Sequence, residues 1–164
     1  MPTGASDYKE AVALGALGVV TGVLTGFAAV PTGPKIQYMI RFRKDHPVIR
    51  KDLEPSYLGV PAMSTHGLTP DETNFSGDSH VVCIQFAGYN EATQKEDLVY
   101  LAVNSGWFPV TLTLPELPEH YKWKVAVNTG DPKCQFFHKN SMPTVESKIF
   151  LGERSVIIFV ATAI

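Results

Sequence analysis

The spacing of polar and apolar positions changes character three times along this chain. From Ala11 to Val30 the run AVALGALGVVTGVLTGFAAV carries no charge at all. A helix of that length spans about 30 Å, the thickness of a bilayer's hydrocarbon core. Gly18, Gly22 and Gly26 recur every four residues, a spacing that lets membrane helices approach closely. A membrane span, a buried helix, a strand-turn-strand of a larger fold and a segment foreign to the rest of the chain all fit, and the sequence leaves them open. A cleavable signal peptide fits less well. The leading MPTGASDYKE is not basic, although Ala28-Ala29-Val30 is small enough for a peptidase.

From Pro34 the period becomes helical. Pro34 suits a first helical position, and Ile36, Met39 and Ile40 fall on one face with Phe42 near its edge. Arg41, Arg43 and Lys44 fall largely on the other side, where late positive charge complements the helix dipole. The residue before a proline avoids the α region, so His46-Pro47 closes the helix. The spacing predicts a short amphipathic helix over 35–46 whose apolar face needs a cover.

Residues 51–80 are rich in turn formers and read as irregular. Short β-type runs follow: VVCIQFA (81–87), LVYLAVN (98–104), PVTLTL (109–114), KWKVAV (122–127), SKIF (147–150) and SVIIFVA (155–161). Ser105-Gly106 reads as a hairpin turn, and Asn128-Thr129-Gly130-Asp131 as another. Six or seven short strands separated by turns predict a mainly β chain, an antiparallel β-sandwich preceded by one or two N-terminal helices. Three regions result: 1–34 apolar and of unknown origin, 35–50 helical, and 51–164 the sandwich.

Charge sharpens this division. Of 30 formal charges, residues 1–34 hold only Asp7, Lys9 and Glu10. A net charge of -2 offers no basic footprint for nucleic acid. The basic cluster Lys35, Arg41, Arg43 and Lys44 would leave the C-terminal part cytoplasmic if 11–30 crossed a membrane. A cytoplasmic location is favoured, with a membrane anchor through residues 11–30 as the alternative. Cys83 lies in an apolar run and Cys134 in a polar loop, without metal or redox spacing. Two free thiols are the preferred reading over a disulfide.

Candidate chemistry is sparse. Asp78-Ser79-His80 has the residue types of a serine triad, but triads are assembled in space, and neighbours on one turn cannot align so. His46, His66, His80, His120 and His138 show no metal-ligand spacing, and no phosphate-cradling motif occurs. Asp71-Glu72 pairs carboxylates, yet a glycosidase pair must face its substrate from opposite sides. No catalytic residue, metal ligand or cofactor is assigned. Trp107 and Phe108, by contrast, lie in a short link where a ring has little core to reach. An exposed Trp can stack on a sugar face or a partner surface, so both are candidate carbohydrate contacts; the alternative is that Trp107 folds back to cap the sandwich. Trp123 alternates with Val125 and Val127 and reads as core.

Several segments, in order, resemble the C-terminal end of isoamylase-type debranching enzymes of the alpha-amylase superfamily. IQYMIRFRKDHPVIR (36–50) resembles their last barrel helix, with its RxRxxHPxLR ending. His66-Gly67, Pro70-Asp71, Asn74-Phe75-Ser76 and Asp78-Ser79-His80 resemble the HG…P…DWS…SH stretch. LVYLAVNSGWFPVTLTLP (98–115), Trp123…Val127-Asn128-Thr129 and Arg154-Ser155-Val156 are similar to the hairpin and strands that follow. Phe75 and Asn128 stand where the family has Trp and Asp. The resemblance implies an alpha-amylase C-terminal type of sandwich. Its partner would be a catalytic (β/α)8 barrel that cleaves α-1,6 branches of glycogen or starch, and an α-glucan is the implied ligand. The barrel's carboxylates have no counterpart here, so activity of this chain alone stays open. The chain is then either a piece of a larger enzyme or a domain on a new N-terminus, and a tethered glycan-binding or adhesion module is the rival reading.

Overall fold

The computed structural model describes residues 32–70, 72, 79–133 and 135–164. The apolar run 11–30, Asp71, residues 73–78 and Cys134 lie outside the described residues, and so do the expectations that fall on them. No helix among the described residues is long and apolar enough to cross a membrane. The described chain divides into two compact units, one of residues 32–63 with 86–98 and one of 64–85 with 99–164.

The first unit contains the helix α1, Thr32–Asp45, followed by a 3-10 turn over Pro47–Ile49. Pro34 lies in the first turn, where backbone N–H groups have no intrahelical acceptor to lose. Arg43 and Lys44 occupy the last turn as the dipole argument requires. The buried stripe differs from the expected one. Met39 and Phe42 are buried, whereas Ile36 and Ile40 are 45% and 51% exposed. At 100° per residue, the line through Met39, Phe42 and His46 lies roughly a third of a turn from Ile36 and Ile40. The Phe42 and His46 rings lie 4.4 Å apart between centroids, which ties the stripe to the turn that follows.

That turn is anchored by one carboxylate. Asp97 is buried; its Oδ1 lies 2.7 Å from His46 Nδ1, and its Oδ2 accepts the Val48 N–H at 3.1 Å. Glu96 next to it accepts from the Ser56 hydroxyl at 2.7 Å and the Tyr57 N–H at 2.9 Å. Gly88 is required by close approach, since a Cβ there would stand 2.7 Å from Leu53 Cβ. The segment before it runs alongside, with Tyr89 N–H donating to Glu54 C=O at 2.8 Å.

The second unit holds most of the antiparallel sandwich. The strands of the chain are β1 (Met63–His66), β2 (Val81–Asn90), β3 (Lys95–Asn104), β4 (Val110–Thr113), β5 (Tyr121–Asn128), β6 (Gln135–Phe136), β7 (Thr144–Val145), β8 (Lys148–Leu151) and β9 (Ser155–Ala163). The large sheet runs β1-β2-β3-β9-β5-β6, with β7 also on β5, and β4 and β8 form a separate two-stranded sheet. β9 pairs antiparallel with β3 and β5, and its residues Ser155–Val160 are all buried, so both faces of this central strand are covered. A bulge between Val125 and Val127 shifts the β5–β9 register.

Two expectations change. Residues 63–66, inside the stretch read as irregular, form β1. The link 105–109 is not a hairpin turn. β3 already has β2 on one edge and β9 on the other, so β4 finds no free edge there and crosses to pair with β8. In that small sheet Leu112 and Leu151 are buried on one face, while Phe150, opposite Thr111, is exposed on the other.

The sandwich core is aromatic. Tyr100 is fully buried, with ring centroids 5.8 Å from Trp123, 6.0 Å from Phe159 and 5.6 Å from His66. Trp123 is core as its alternation implies, and its indole N–H donates to Pro115 C=O at 2.8 Å, just past the end of β4. Buried indoles ordinarily find such an acceptor.

Replacing Asp97 by Ala should remove the acceptor of Val48 N–H and leave that donor buried and unpaired. Urea unfolding followed by circular dichroism should show a loss of about 1–3 kcal/mol. Asp97→Asn keeps an acceptor in place and should lose less.

Candidate functional site: the link between the two sheets

The link 105–109 is held by the last residue of β3. Asn104 is buried and uses its whole amide. Its Oδ1 accepts the Gly106 N–H at 2.9 Å, and its Nδ2 donates to Phe108 C=O and to Gly152 C=O, each at 2.9 Å. One side chain thus fixes both the link and the turn between β8 and β9. Gly106 sits in a tight place: a Cβ would lie 3.1 Å from both Asn104 Oδ1 and His80 Cβ, so those neighbours would have to give way. Ser105 N–H donates to His80 C=O at 2.8 Å, which pins the other side of the link to the start of β2.

Gly106 also faces the β8–β9 turn, where its carbonyl accepts the Arg154 N–H at 3.0 Å. Arg154 has a φ of 44°, the left-handed region that non-glycine residues seldom occupy. Its guanidinium carbon lies 3.8 Å from the centroid of the Trp107 ring. A cation over the face of an indole is attracted by the ring's quadrupole, by roughly 0.5–1 kcal/mol at an exposed position. Trp107 nevertheless stays 67% exposed, and Phe108 79%. The two candidate carbohydrate contacts are therefore adjacent and face solvent, and Trp107 does not cap the core. Sequence reasoning missed Arg154. Its only signal was its place in the Arg-Ser-Val motif, which gave no hint of an aromatic partner.

An open groove of about 450 Å³ borders the link, lined by Leu68, Thr69, Ser79, His80, Trp107, Phe108 and others. The polar residues around it have structural duties as well. Thr69 donates its hydroxyl to Glu72, and Ser79 donates its own to Val81 C=O at 3.3 Å. The Ser-His pair of the triad-like tripeptide thus stands at the start of β2, where His80 C=O is taken by Ser105. His66 pairs with the Ser64 hydroxyl at 2.8 Å, remote in role from His46 on Asp97. Among the described residues no three His, Cys, Asp or Glu side chains cluster to hold a metal. Cys83 is a buried free thiol whose pKa burial pushes up to about 11, which makes it a poor nucleophile near neutrality.

The architecture is a two-sheet antiparallel sandwich, with a link crossing between its sheets and a closing strand at its centre. The chain belongs to a defined family: residues 64–150 match the family described as Isoamylase 1-3, C-terminal. The match covers the sandwich from β1 through most of β8, including Asn104, Trp107 and Trp123. Helix α1 and the Arg154-Ser155-Val156 segment lie outside it. No curated protein matches the chain.

Asn104→Asp tests the link. The variant keeps an acceptor for Gly106 N–H but turns a second oxygen toward two carbonyls, so the ionised carboxylate should cost about 2–4 kcal/mol at pH 7. Those surroundings raise the folded-state pKa of the new carboxyl above its unfolded value. The penalty should therefore be full at neutral pH and shrink as pH falls through the raised pKa, where a protonated acid can donate to one carbonyl. Thermal melts between pH 4 and 8 should show that narrowing gap from wild type.

Proposed function

We propose that this chain is the accessory, stabilising sandwich of a debranching glycoside hydrolase that acts on α-1,6 branches of glycogen or starch. In this reading it has no catalytic residues of its own, and its partner is the (β/α)8 barrel of the parent enzyme. Membership of the Isoamylase 1-3 C-terminal family over residues 64–150 is the observation that carries it. Two features support it further. The segment 36–50 resembles the last barrel helix of such enzymes, and Ile36 and Ile40 on α1 are apolar side chains left exposed, which a barrel would cover. The polar groups of the link also serve folding: Asn104, Ser79 and Ser105 spend their hydrogen bonds on backbone carbonyls and amides.

The purified chain should release no reducing sugar from pullulan or glycogen. Clear turnover, retained after repurification, would sink the proposal.

A second reading is favoured by one observation, the exposure of Trp107 and Phe108 side by side. It takes the chain as a non-catalytic glycan-binding module. An indole offers a large apolar face to the C–H surface of a sugar ring and a polar edge to its hydroxyls. Affinity electrophoresis in glycogen gels separates the readings. Retardation of the wild type that disappears in Trp107→Ala supports glycan binding, and equal mobility with and without glycogen removes it.

A further inference from the structure

The second reading names an exposed aromatic but not what makes it a site. We infer that Arg154 is a positioning residue that turns Trp107 into a one-sided stacking platform for a neutral sugar chain, with the adjoining groove receiving the next rings. The inference rests on the glycan-contact reading of Trp107 and deepens it.

Geometry carries the argument. A tryptophan two-thirds exposed on a link would ordinarily sample several rotamers, and each would have to be given up on binding. Here one face of the ring is taken by the Arg154 guanidinium at 3.8 Å, which leaves the opposite face for a ligand. The pairing is imposed by the backbone. Arg154 N–H is bonded to Gly106 C=O, the residue before Trp107, and Gly106 N–H is bonded to buried Asn104. Cation and indole are therefore carried by two turns that one amide side chain locks together.

The backbone at Arg154 points the same way. A φ of 44° disfavours any residue with a Cβ, and glycine would relieve it. A left-handed arginine stacked on an exposed ring is strain kept beside a surface feature, a pattern that accompanies ligand contacts.

The ligand's chemistry follows from the groove. Its volume of about 450 Å³ lies within the range of small-molecule pockets, roughly 300–1,000 Å³. Beside the aromatic rings its lining includes His80, an imidazole suited to sugar hydroxyls, and the Thr69–Glu72 pair, whose oxygens keep lone pairs to accept from them. Charges of both signs border the area, with Glu72 in the groove lining and Arg154 on the ring, so neither an anion nor a cation is selected. A flat apolar face beside mixed donors and acceptors without net charge fits a neutral chain of pyranose rings.

The test uses the full chain and maltoheptaose as the probe. Trp123 is buried and Trp107 exposed, so acrylamide quenching of tryptophan fluorescence reports on Trp107. Maltoheptaose should shield that signal in a saturable way in the wild type. Arg154→Gly suits the local backbone and should fold with an unchanged or higher melting temperature. It should weaken maltoheptaose binding about three- to tenfold and raise the quenching constant of the free protein. Arg154→Lys retains a cation without the flat face and should recover only part of the affinity. If Arg154→Gly binds and quenches like the wild type while Trp107→Ala still abolishes retardation in glycogen, the inference fails and the glycan reading stands. If the wild type shows neither shielding nor retardation, the underlying reading fails, and the inference with it.

Discussion

The amide of Asn104 is the contact on which the sandwich's wiring depends. β3 is flanked on both edges, so the chain leaving it must abandon the large sheet and start another. Such a crossing exposes backbone groups that no ladder can satisfy. Asn104 supplies the missing partners: it accepts from Gly106 and donates to Phe108 and to Gly152, at the far end of the small sheet. Neither Asp nor Leu could do this, because the position needs an acceptor and two donors on a planar group. The hydrogen bond from Ser155 Oγ to Gly152 C=O at 2.7 Å brings the start of β9 to the same carbonyl. The central strand therefore enters the sheet from a turn already fixed by β3.

What was readable in the sequence followed from local rules, and what was not followed from pairing. The β-branched runs, the alternation around Trp123 and the Pro47 helix stop are local, and they appear in the fold. The hairpin expected at Ser105-Gly106 failed because turn residues cannot tell whether the neighbouring edge is already taken. The polar ends of β2 and β3, Gly88–Asn90 and Lys95–Asp97, lack the strand pattern; they are strand because they pair across a short turn containing Gln94 at a φ of 51°. On α1, Ile36 and Ile40 look like the apolar face on a helical wheel. The actual face is chosen by Phe42 and His46 and by the carboxylate of Asp97 that receives His46, a residue 51 positions away.

The candidate site shows the same split. Trp107 and Phe108 were legible because a short link leaves little for large rings to bury against, and both face solvent. Arg154 was not, since its role depends on a hydrogen bond to Gly106, on a turn far away in the chain. Cys83 went the other way. Its apolar neighbours pointed to a buried thiol, and the full burial and raised pKa agree with an inert packing residue. Asp97 and His66 likewise have partners inside the fold, Asp97 with His46 and Val48 N–H and His66 with the Ser64 hydroxyl, whereas Arg154 lies over the exposed Trp107 ring.

These contacts bear on what the proposed accessory role could ask of the link. A group able to transfer protons must be held near its substrate with a pKa suited to the task. In the groove, the Glu72 carboxylate already accepts the Thr69 hydroxyl. Binding asks for less, namely a rigid face, a free side and little entropy to lose. Under the proposed glycan reading, Trp107 would draw these from Arg154 on one face of its ring and from the Asn104-bonded link that carries it. Without Asn104 the two turns would keep the Arg154 N–H to Gly106 C=O bond but lose the side chain that bridges Gly106, Phe108 and Gly152. In the proposed reading, a surface that depends on a buried amide would couple recognition to folding. The same side chain that lets β4 leave the sheet would then also hold the link on which an outside ring could stack.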